Sequence, residues 1–445
     1  MNGDDLSGDP GDALCLSGCR VSGFGSTFAG VLGCLNYNVR KQEALALRWS
    51  QRRVSPTGVS NEDWIWHLNR LKLMTIVGTR PEIIRLSSVI KCCDQYFDHV
   101  LVHTGQNWDY ALSQVFFDDL GLRAPNQYLE CAGANVGETM GAIIAKSYEV
   151  MSGERPDALL VLGDTNSSLS AIAAKRLKIP IFHMEAGNRC WDWNVPEMTN
   201  RTIVDHIADI NLPYTENSRR YLLSEGIDGK TIFVTGSPMR EVLRDMQPKI
   251  DASDALDRLG LEPERYILLS AHREENIDNG AAFMSLMEAV NHIAATYQMP
   301  VIYSTHPRSR KFIEARGFEF HPLVRMLEPF NFTDYNKLQI SSYCVLSDSG
   351  TLSEESAMLG FPGVLIRTST ERPEALDAGT VVVGGITGSA IEQALELAVA
   401  MSDAQEEVGA VADYEDTCVS TKVVKVIQSY AKIVDITTWR KGTAL

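Results

Sequence analysis

The sequence lacks the features that mark membrane, metal-binding and nucleic-acid-binding proteins. No apolar run reaches the roughly twenty continuous residues that a membrane helix needs. The nine cysteines show no spacing typical of a metal site, and their odd number without a secretory signal predicts a reducing cytoplasm. A net charge of −16 argues against binding to nucleic acid or an anionic membrane, because both need a basic surface. We therefore expect a cytoplasmic protein with no metal and neither of those partners.

Residues 1–70 differ in composition from the rest of the 445-residue chain. They are rich in Gly, Ser and Asp, and their apolar stretch near residues 24–35 is short and broken by glycines. Aspartates precede that stretch, where a signal peptide would have basic residues. We expect residues 1–70 to be a poorly ordered extension that carries no chemistry.

From residue 71 onward, apolar β-like runs alternate with amphipathic helical segments. The runs of the first series start at Leu73–Val77 and end with Ile232–Val234, and a second series spans residues 266–383. Alternation of strands and helices predicts βαβ units and parallel sheets covered on both faces. The sequence therefore predicts an α/β fold.

The chain is long enough for two or three domains. The string Gly236-Ser237-Pro238 breaks the pattern between the two series and is the expected hinge. We predict a first domain over residues 71–237 and a second over residues 238–415. The last helical run, within residues 416–445, is expected to cross back onto the first domain.

Short polar strings follow the apolar runs in a fixed order. They are Gly78-Thr79-Arg80-Pro81-Glu82, Gly163-Asp164-Thr165, Glu185-Ala186-Gly187 with Pro196-Glu197, Ala271-His272-Arg273-Glu274, and Asp348-Ser349-Gly350-Thr351 with Glu371-Arg372-Pro373-Glu374. Open parallel sheets bind ligands outside the carboxyl ends of their strands. Carboxylates of the first half and cationic groups of the second can therefore face one another across a cleft. This layout is typical of an enzyme that handles a negatively charged, sugar-like ligand.

Three carboxylates of the first half are candidates for proton transfer and for stabilising a cationic sugar centre. Asp164 is equally suited to capping the helix that follows it. Glu185 is the strongest candidate because it emerges from an apolar run and is expected to be partly buried, although an ion pair gives the same signature. Glu197 follows a proline at a helix start, where a carboxylate also complements the helix dipole.

The candidates for binding phosphate are cationic or hydroxyl-bearing. Arg80 and the string Ser349-Gly350-Thr351 each stand where a strand gives way to a helix, whose free N–H groups attract phosphate. His272 adjoins Arg273, a pair that suits a pyrophosphate. Each has an ordinary alternative: a surface arginine for Arg80, a structural histidine for His272, and helix capping for the serine string. A structural salt bridge is the alternative for Arg372.

Taken together, these strings resemble the non-hydrolysing UDP-N-acetylglucosamine 2-epimerase family from about Leu71 to Ile433. The resemblance implies two Rossmann-like domains that face one another across a cleft, as in GT-B glycosyltransferases. It implies a UDP-sugar substrate, no cofactor and a homodimer. It implies catalytic roles for Asp164, Glu185, Glu197 and His272. It implies substrate binding by Arg80, Gln106, Arg273, Tyr335, Ser349, Gly350, Thr351, Glu355 and Arg372.

Within the family, the longer strings resemble a capsule-associated subgroup that acts on a 6-deoxy UDP-sugar and forms UDP-N-acetyl-L-fucosamine. These strings are residues 102–107, 183–190 and 270–276. The chain departs from the family pattern at Met198, where a second glutamate is common. It also departs at Asn107, where members activated by their own substrate carry a histidine, so we do not expect allosteric activation.

The activity that the resemblance implies is inversion at C2 by elimination and re-addition of UDP. Three alternatives stay open. A GT-B glycosyltransferase would pass the sugar to an acceptor, and a hydrolysing epimerase would release free sugar. A regulatory protein that binds nucleotide sugar without turnover would be expected to lack one of the four catalytic residues.

Overall fold

The computed structural model describes residues 70–106, 116–193, 195–271, 280–406 and 409–442, without the side chains of residues 282 and 308. The expectation for residues 1–70 lies outside the described residues, except at Arg70. The described chain forms two parallel sheets of six strands each.

The first sheet is made by residues of the first half. Its strands are β1 (Lys72–Val77), β2 (Asp98–His103), β3 (Gln127–Tyr128), β4 (Ala158–Leu162), β5 (Ile181–Met184) and β6 (Ile210–Leu212). The helices between and after them are α1 (Arg80–Tyr96), α2 (Val136–Glu154), α3 (Ser170–Arg176), α4 (Pro196–Ile207), α5 (Glu216–Ser224), α6 (Met239–Asp251) and α7 (Ala255–Leu259).

The second sheet follows in the chain. Its strands are β7 (Ile267–Ser270), β8 (Val301–Ser304), β9 (Val324–Leu327), β10 (Cys344–Ser347), β11 (Gly363–Leu365) and β12 (Val382–Val383). The remaining helices are α8 (Gly280–Tyr297), α9 (Pro307–Arg316), α10 (Phe332–Ile340), α11 (Thr351–Leu359), α12 (Pro373–Asp377), α13 (Gly388–Asp403) and α14 (Val419–Thr437). Short 3₁₀ helices lie at Asn166–Leu169, Gly229–Thr231 and Ala412–Tyr414.

Both sheets have the strand order of a Rossmann fold. The first runs β3-β2-β1-β4-β5-β6, and the second, read in the same sense, runs β9-β8-β7-β10-β11-β12. In the first sheet, β2 and β3 lie on one side of β1, and β4 to β6 lie on the other. In the second sheet, β8 and β9 lie on one side of β7, and β10 to β12 lie on the other. The order in which strands are added therefore reverses between β1 and β4 and between β7 and β10. Ligands of such sheets bind at this reversal, outside the carboxyl ends of the strands. The predicted α/β fold with two Rossmann-like sheets is confirmed.

One predicted strand is wrong. Within the run Ile232–Val234, Ile232 makes only an isolated bridge to Asn211, and β6 is the edge strand instead. Beside this bridge, the Phe233 N–H donates to the Asn211 carbonyl and the Thr235 N–H to the Pro213 carbonyl, both at 3.0 Å. Ile232 is buried, and the ring of Phe233 lies 4.8 Å from that of Tyr430 on α14.

Helix α14 packs against α1. Buried side chains of the two helices, among them Leu86, Val89, Val423 and Ile427, belong to one apolar cluster. No helix among the described residues is both long and apolar enough to span a bilayer.

Candidate active site

The turn after β5 is held in a fixed shape by a buried aspartate. Glu185 has a φ of 60° and Gly187 a φ of 81°, a left-handed backbone that needs support. Asp205, on α4, accepts hydrogen bonds from the Gly187 N–H at 3.1 and 3.2 Å. The carboxylate of Asp205 also lies 2.9 Å from His183 Nδ1 and 2.8 Å from Arg189 Nη1. These contacts fix the direction in which the Glu185 side chain leaves the strand.

Glu185 lies between two buried arginines from different parts of the chain. Arg85 on α1 donates to its Oε2 atom, and Arg372, just before α12, donates to its Oε1 atom at 2.6 Å. A second carboxylate, Glu354 on α11, accepts from Arg85 Nη2 at 3.2 Å and from Arg372 Nε at 3.0 Å. We call Arg85, Glu185, Glu354 and Arg372 the Glu185 cluster. It joins the first sheet to the second.

The neighbouring charges in the Glu185 cluster determine the pKa values of Glu185 and Arg85. Burial alone would raise the pKa of the Glu185 carboxyl, but the guanidinium groups of Arg85 and Arg372 outweigh burial and hold that pKa below its ordinary value. Burial would likewise lower the pKa of Arg85, but the carboxylates of Glu185 and Glu354 raise it. Two cations therefore face two anions in a site that water scarcely reaches.

Asp164 forms a second ion pair, with a buried arginine. It follows β4 and contacts Arg201 on α4, whose Nη2 atom also lies 3.4 Å from Glu371 Oε2. The 3₁₀ helix after Asp164 has Thr165 as its N-cap, so the side chain of Asp164 is not the cap. The capping alternative for Asp164 is therefore wrong. This pair also joins the two halves, because Glu371 belongs to the loop that carries Arg372.

The turn after β1 is closed by its own glutamate. Glu82 accepts hydrogen bonds from the Gly78 N–H at 3.0 Å, from Thr79 Oγ1 at 2.8 Å and from Ser167 Oγ. Burial raises the pKa of Glu82. Gly78 is required here because a Cβ atom would lie 2.3 Å from Thr104 Oγ1. These contacts restrict the backbone of the turn and so fix the position of Arg80 at the start of α1.

A pocket of about 140 Å³ adjoins the Glu185 cluster. Residues of both halves line it, and they include the predicted Arg80, Tyr335, Ser349, Thr351 and Glu355, together with Arg85. Burial lowers the pKa of Arg80, whose guanidinium lies over the Phe116 ring at 5.3 Å. Burial also raises the pKa of the Glu355 carboxyl, which accepts from Gln339 Nε2 at 2.6 Å.

The hydroxyls predicted to bind phosphate lie side by side at the start of α11. Ser349 Oγ is 2.8 Å from Thr351 Oγ1, and Gly350 is the N-cap residue. Gly350 has no side chain that could cap the helix, and the Thr351 N–H donates to Ser349 Oγ at 3.3 Å. This arrangement suits an anion beside the helix N-terminus.

The other predicted residues have separate positions. Glu197 is half-buried in the first turn of α4. Gln106 is half-buried beside Gly78, and its Oε1 atom has no hydrogen-bond partner among the described residues. His272 and Arg273 lie outside the described residues. No group of three metal-binding side chains that could hold an ion occurs in the part of the chain that is described.

The sequence analysis did not single out Arg85, Glu354, Arg201 or Tyr214. Arg85 follows the string that ends at Glu82, and Glu354 follows the string that ends at Thr351. A position inside a helix gives no sign of the residue's partner. Tyr214 lies beneath both arginines of the Glu185 cluster, with ring-to-guanidinium distances of 6.0 Å for Arg85 and 5.9 Å for Arg372. A tyrosine after an apolar strand gives no signal of that contact.

Fold and site together define an α/β enzyme of GT-B type that has charged groups from both halves in its cleft. Residues 91–428 match the family model of UDP-N-acetylglucosamine 2-epimerase, and the chain belongs to that family. It is therefore an isomerase.

Three similar proteins support this assignment. A UDP-N-acetylglucosamine 2-epimerase structure from Rickettsia bellii is 45% identical, with a TM-score of 0.77 over 84% of this chain and 100% of the other. The Methanocaldococcus jannaschii enzyme in complex with UDP-GlcNAc and UDP is 29% identical, with a TM-score of 0.76 over 81% and 100%. The UDP-2,3-diacetamido-2,3-dideoxy-D-glucuronate 2-epimerase of Pseudomonas aeruginosa is 34% identical over 329 residues, which are 73% of this chain and 91% of the relative.

Proposed function

We propose that the protein inverts C2 of a UDP-N-acetylhexosamine by eliminating and re-adding UDP, without hydrolysis. The observation that carries this proposal is the position of Glu185. It is a buried carboxylate that lies between arginines of both halves, beside a pocket whose lining includes hydroxyl and cationic groups. Such a site can hold a pyrophosphate and move a proton at the carbon next to the anomeric centre.

The proposed reaction begins with loss of UDP. The C1–O bond breaks, the electron pair leaves with the pyrophosphate oxygen, and C1 gains oxocarbenium character that makes the C2 hydrogen acidic. Arg80, His272 and Arg372 stabilise the leaving pyrophosphate. Arg273 and Gln106 complete the contacts with the substrate, and Ser349, Gly350 and Thr351 bind its phosphates. Tyr335 and Glu355 belong to the same proposed binding site.

Carboxylates then complete the inversion. Asp164, Glu185 and Glu197 stabilise the cationic ring and transfer the C2 proton, so that C1 and C2 become joined by a double bond. UDP and the 2-acetamidoglycal stay in the cleft. A proton then adds to C2 from the opposite face, and UDP returns to C1. The net change is the configuration at C2.

We propose a 6-deoxy UDP-N-acetylhexosamine as the substrate, with UDP-N-acetyl-L-fucosamine as the product. The strings that resemble the capsule-associated branch support this choice, and synthesis of a surface polysaccharide would be the role. The Pseudomonas aeruginosa relative is named for another UDP-sugar, so family membership alone leaves the sugar open. We also propose a cytoplasmic homodimer.

We further propose that the boundary between residues 237 and 238 is a hinge and that UDP closes the cleft. Ser237 donates to Glu354 of the Glu185 cluster, and the Ser237 N–H donates to the Asp413 carbonyl at 3.0 Å. The hinge is thus in contact with the site. Small-angle scattering with and without UDP tests the closure, and an unchanged profile at saturating UDP contradicts it.

The reaction is tested by incubating the protein with a panel of UDP-N-acetylhexosamines in deuterated water. A C2-epimeric UDP-sugar that carries deuterium at C2 is expected. Free N-acetylhexosamine as the product would identify a hydrolysing epimerase. Turnover only with an added sugar acceptor would identify a glycosyltransferase, and binding without turnover a regulatory protein.

A further inference from the structure

The carboxylate of Glu185 has little freedom to move. Its two oxygens are bound by different guanidinium groups, and the Asn188 amide also lies 3.3 Å from Oε1. The side chain of Glu185 is 8% exposed, and those of Arg85 and Arg372 are 6% and 3% exposed. A proton-transferring group held in this way owes both its orientation and its basicity to its neighbours.

Glu354 holds those neighbours. Its Oε1 atom lies 3.2 Å from Arg85 Nη2 and 2.9 Å from Arg372 Nη2, and its side chain is fully buried. Its Oε2 atom accepts from Ser237 Oγ, which itself accepts from the Met239 N–H at 3.2 Å. Glu354 is therefore anchored to the start of α6 and cannot turn away without leaving two buried arginines uncompensated.

Charged and titratable groups of several elements surround the carboxylate of Glu185. Arg85 faces it from α1 and Arg372 from the loop before α12. Tyr214 faces it from the end of β6, and the pKa of that phenol is raised by burial and by the Glu185 charge. Glu354 contacts the same two arginines and so acts on Glu185 through them. Glu374 and Tyr414 also act on Arg372, and both raise its pKa.

We propose that Arg85 and Glu354 are positioning residues that act on the reaction through Glu185. Glu354 holds the guanidinium groups of Arg85 and Arg372 in register, and Arg85 holds the Glu185 carboxylate towards the cleft. This proposal rests on the proposed catalytic role of Glu185.

The two positioning residues have opposite effects on the proton affinity of Glu185. Removing the charge of Arg85 removes a cation beside the carboxylate, so the pKa of Glu185 should rise. Removing the charge of Glu354 leaves the cations less compensated, so the pKa of Glu185 should fall. A charge within roughly 4 to 6 Å of a carboxyl group shifts the pKa of that group by about one unit or more. A purely structural role predicts no such opposition.

The kinetic test compares Arg85→Gln, Arg85→Lys and Glu354→Gln on the epimerisation substrate. Arg85→Gln and Glu354→Gln are expected to lower kcat by about tenfold to a hundredfold and to change KM by less than about threefold. The acidic limb of kcat/KM, which reports the free enzyme, is expected to move to higher pH in Arg85→Gln and to lower pH in Glu354→Gln. Arg85→Lys keeps the charge, so its limb should stay in place while kcat recovers in part.

Glu241→Gln is the matched control. Glu241 is also a buried glutamate, but it lies outside the Glu185 cluster and accepts from the Ser420 N–H and Oγ at 2.9 and 2.7 Å. Its substitution is expected to leave the acidic limb unchanged. If Glu354→Gln does not fold, the two Arg85 variants carry the test alone. Acidic limbs that coincide in Arg85→Gln, Arg85→Lys and the wild type would overturn the proposal.

A second measurement separates this proposal from the proposed function. The carboxyl carbon of Glu185 is followed by carbon-13 NMR in glutamate-labelled protein without substrate, and it is assigned from the signal that Glu185→Gln lacks. The titration midpoint is expected to rise in Arg85→Gln and to fall in Glu354→Gln. Absence of epimerisation in the wild type would contradict the proposed function, whereas unchanged midpoints would contradict the positioning role.

Discussion

Glu185 and Arg372 are 187 positions apart in the chain, yet Arg372 Nη2 donates to Glu185 Oε1 at 2.6 Å. Glu185 directly follows β5 of the first sheet, and Arg372 directly precedes α12, which lies between β11 and β12 of the second. Their contact brings a candidate proton-transfer group and a candidate phosphate-binding group into one buried site. It also means that the structural salt bridge considered for Arg372 exists, and that its partner is the strongest catalytic candidate.

The carboxylates of the first half give the first prediction. Asp164→Asn, Glu185→Gln and Glu197→Gln are each expected to fold and to lower turnover by about a hundredfold or more, as acid–base groups do. Turnover is measured on the substrate that the deuterium experiment identifies, and folding by circular dichroism. Near-native turnover in any one variant would show that its carboxylate has no catalytic role.

Nucleotide binding gives the second prediction. UDP is expected to bind in the presence of a metal chelator, because arginines and helix N–H groups supply the positive charge. Arg372→Gln is expected to weaken UDP binding by about tenfold or more, since a hydrogen bond to a charged group contributes roughly 1.5 to 3 kcal/mol. Calorimetric titration measures both effects, and the exposed Arg220→Gln is the control. A strict magnesium requirement would count against this binding mode.

The support of the β5 turn gives a prediction about stability and pH. Burial alone would raise the pKa of Asp205, but His183 and Arg189 hold it below its ordinary value. A depressed folded-state pKa stabilises the protein above the unfolded-state pKa, and this stabilisation is lost as the pH falls through the folded-state pKa. Asp205→Asn is therefore expected to lower the free energy of unfolding by about 3 to 5 kcal/mol at neutral pH. The difference from wild type should shrink below about pH 5.

Denaturant titrations at several pH values check this expectation. Glu82, Glu355 and Glu374 have raised pKa values, which stabilise the folded protein as the pH falls. Both proteins contain these three residues, so their effect cancels when the variant is compared with wild type. Asp257→Asn, an exposed change, is expected to stay within about 0.5 kcal/mol of wild type. A difference for Asp205→Asn that is independent of pH would refute the charge argument.

Gly187 gives a prediction about the same turn. It has a φ of 81°, and a Cβ atom there would lie 2.5 Å from the Ser218 carbonyl oxygen. Gly226 has a similar φ of 86° but open space around it. Gly226→Ala should cost about 1 to 2 kcal/mol of backbone strain. Gly187→Ala should cost about 1 to 3 kcal/mol more because of the clash, and should also lower turnover by displacing Glu185. Equal losses of stability in the two variants would show that the turn yields freely.

Asn107 gives the prediction with the most specific outcome. A protonated imidazole at this position can pair with the phosphate of a second nucleotide, whereas a carboxamide cannot. Loss of that contact should weaken a ligand of a second site by about tenfold or more. We expect hyperbolic kinetics with a 6-deoxy UDP-N-acetyl-L-hexosamine and little turnover of UDP-N-acetylglucosamine. Sigmoidal kinetics, with UDP-N-acetylglucosamine as the better substrate, would contradict both expectations.

The positions of the site residues were predictable to different degrees. The turn that carries Glu185 follows an apolar run, and a run followed by a polar string predicts a strand tip in a parallel sheet. The sequence also allows Asp164 to be a helix cap, and the structure excludes that alternative because Thr165 is the N-cap of the 3₁₀ helix that follows. The run Ile232–Val234 predicts a strand, yet it forms only an isolated bridge beside β6, because local propensity does not decide how far two segments pair.

By itself the sequence determined the α/β alternation, the two series of strands and the polar strings that follow them, because these features depend on local periodicity and on order along the chain. The tertiary structure alone decided which charges meet. Arg85 and Glu354 are helix residues whose partners come from distant parts of the chain. The physical reason is that a buried charge is stabilised only when a charge of opposite sign is buried beside it. Which charge that is depends on how the two sheets approach each other, and the neighbouring residues in the sequence do not determine it.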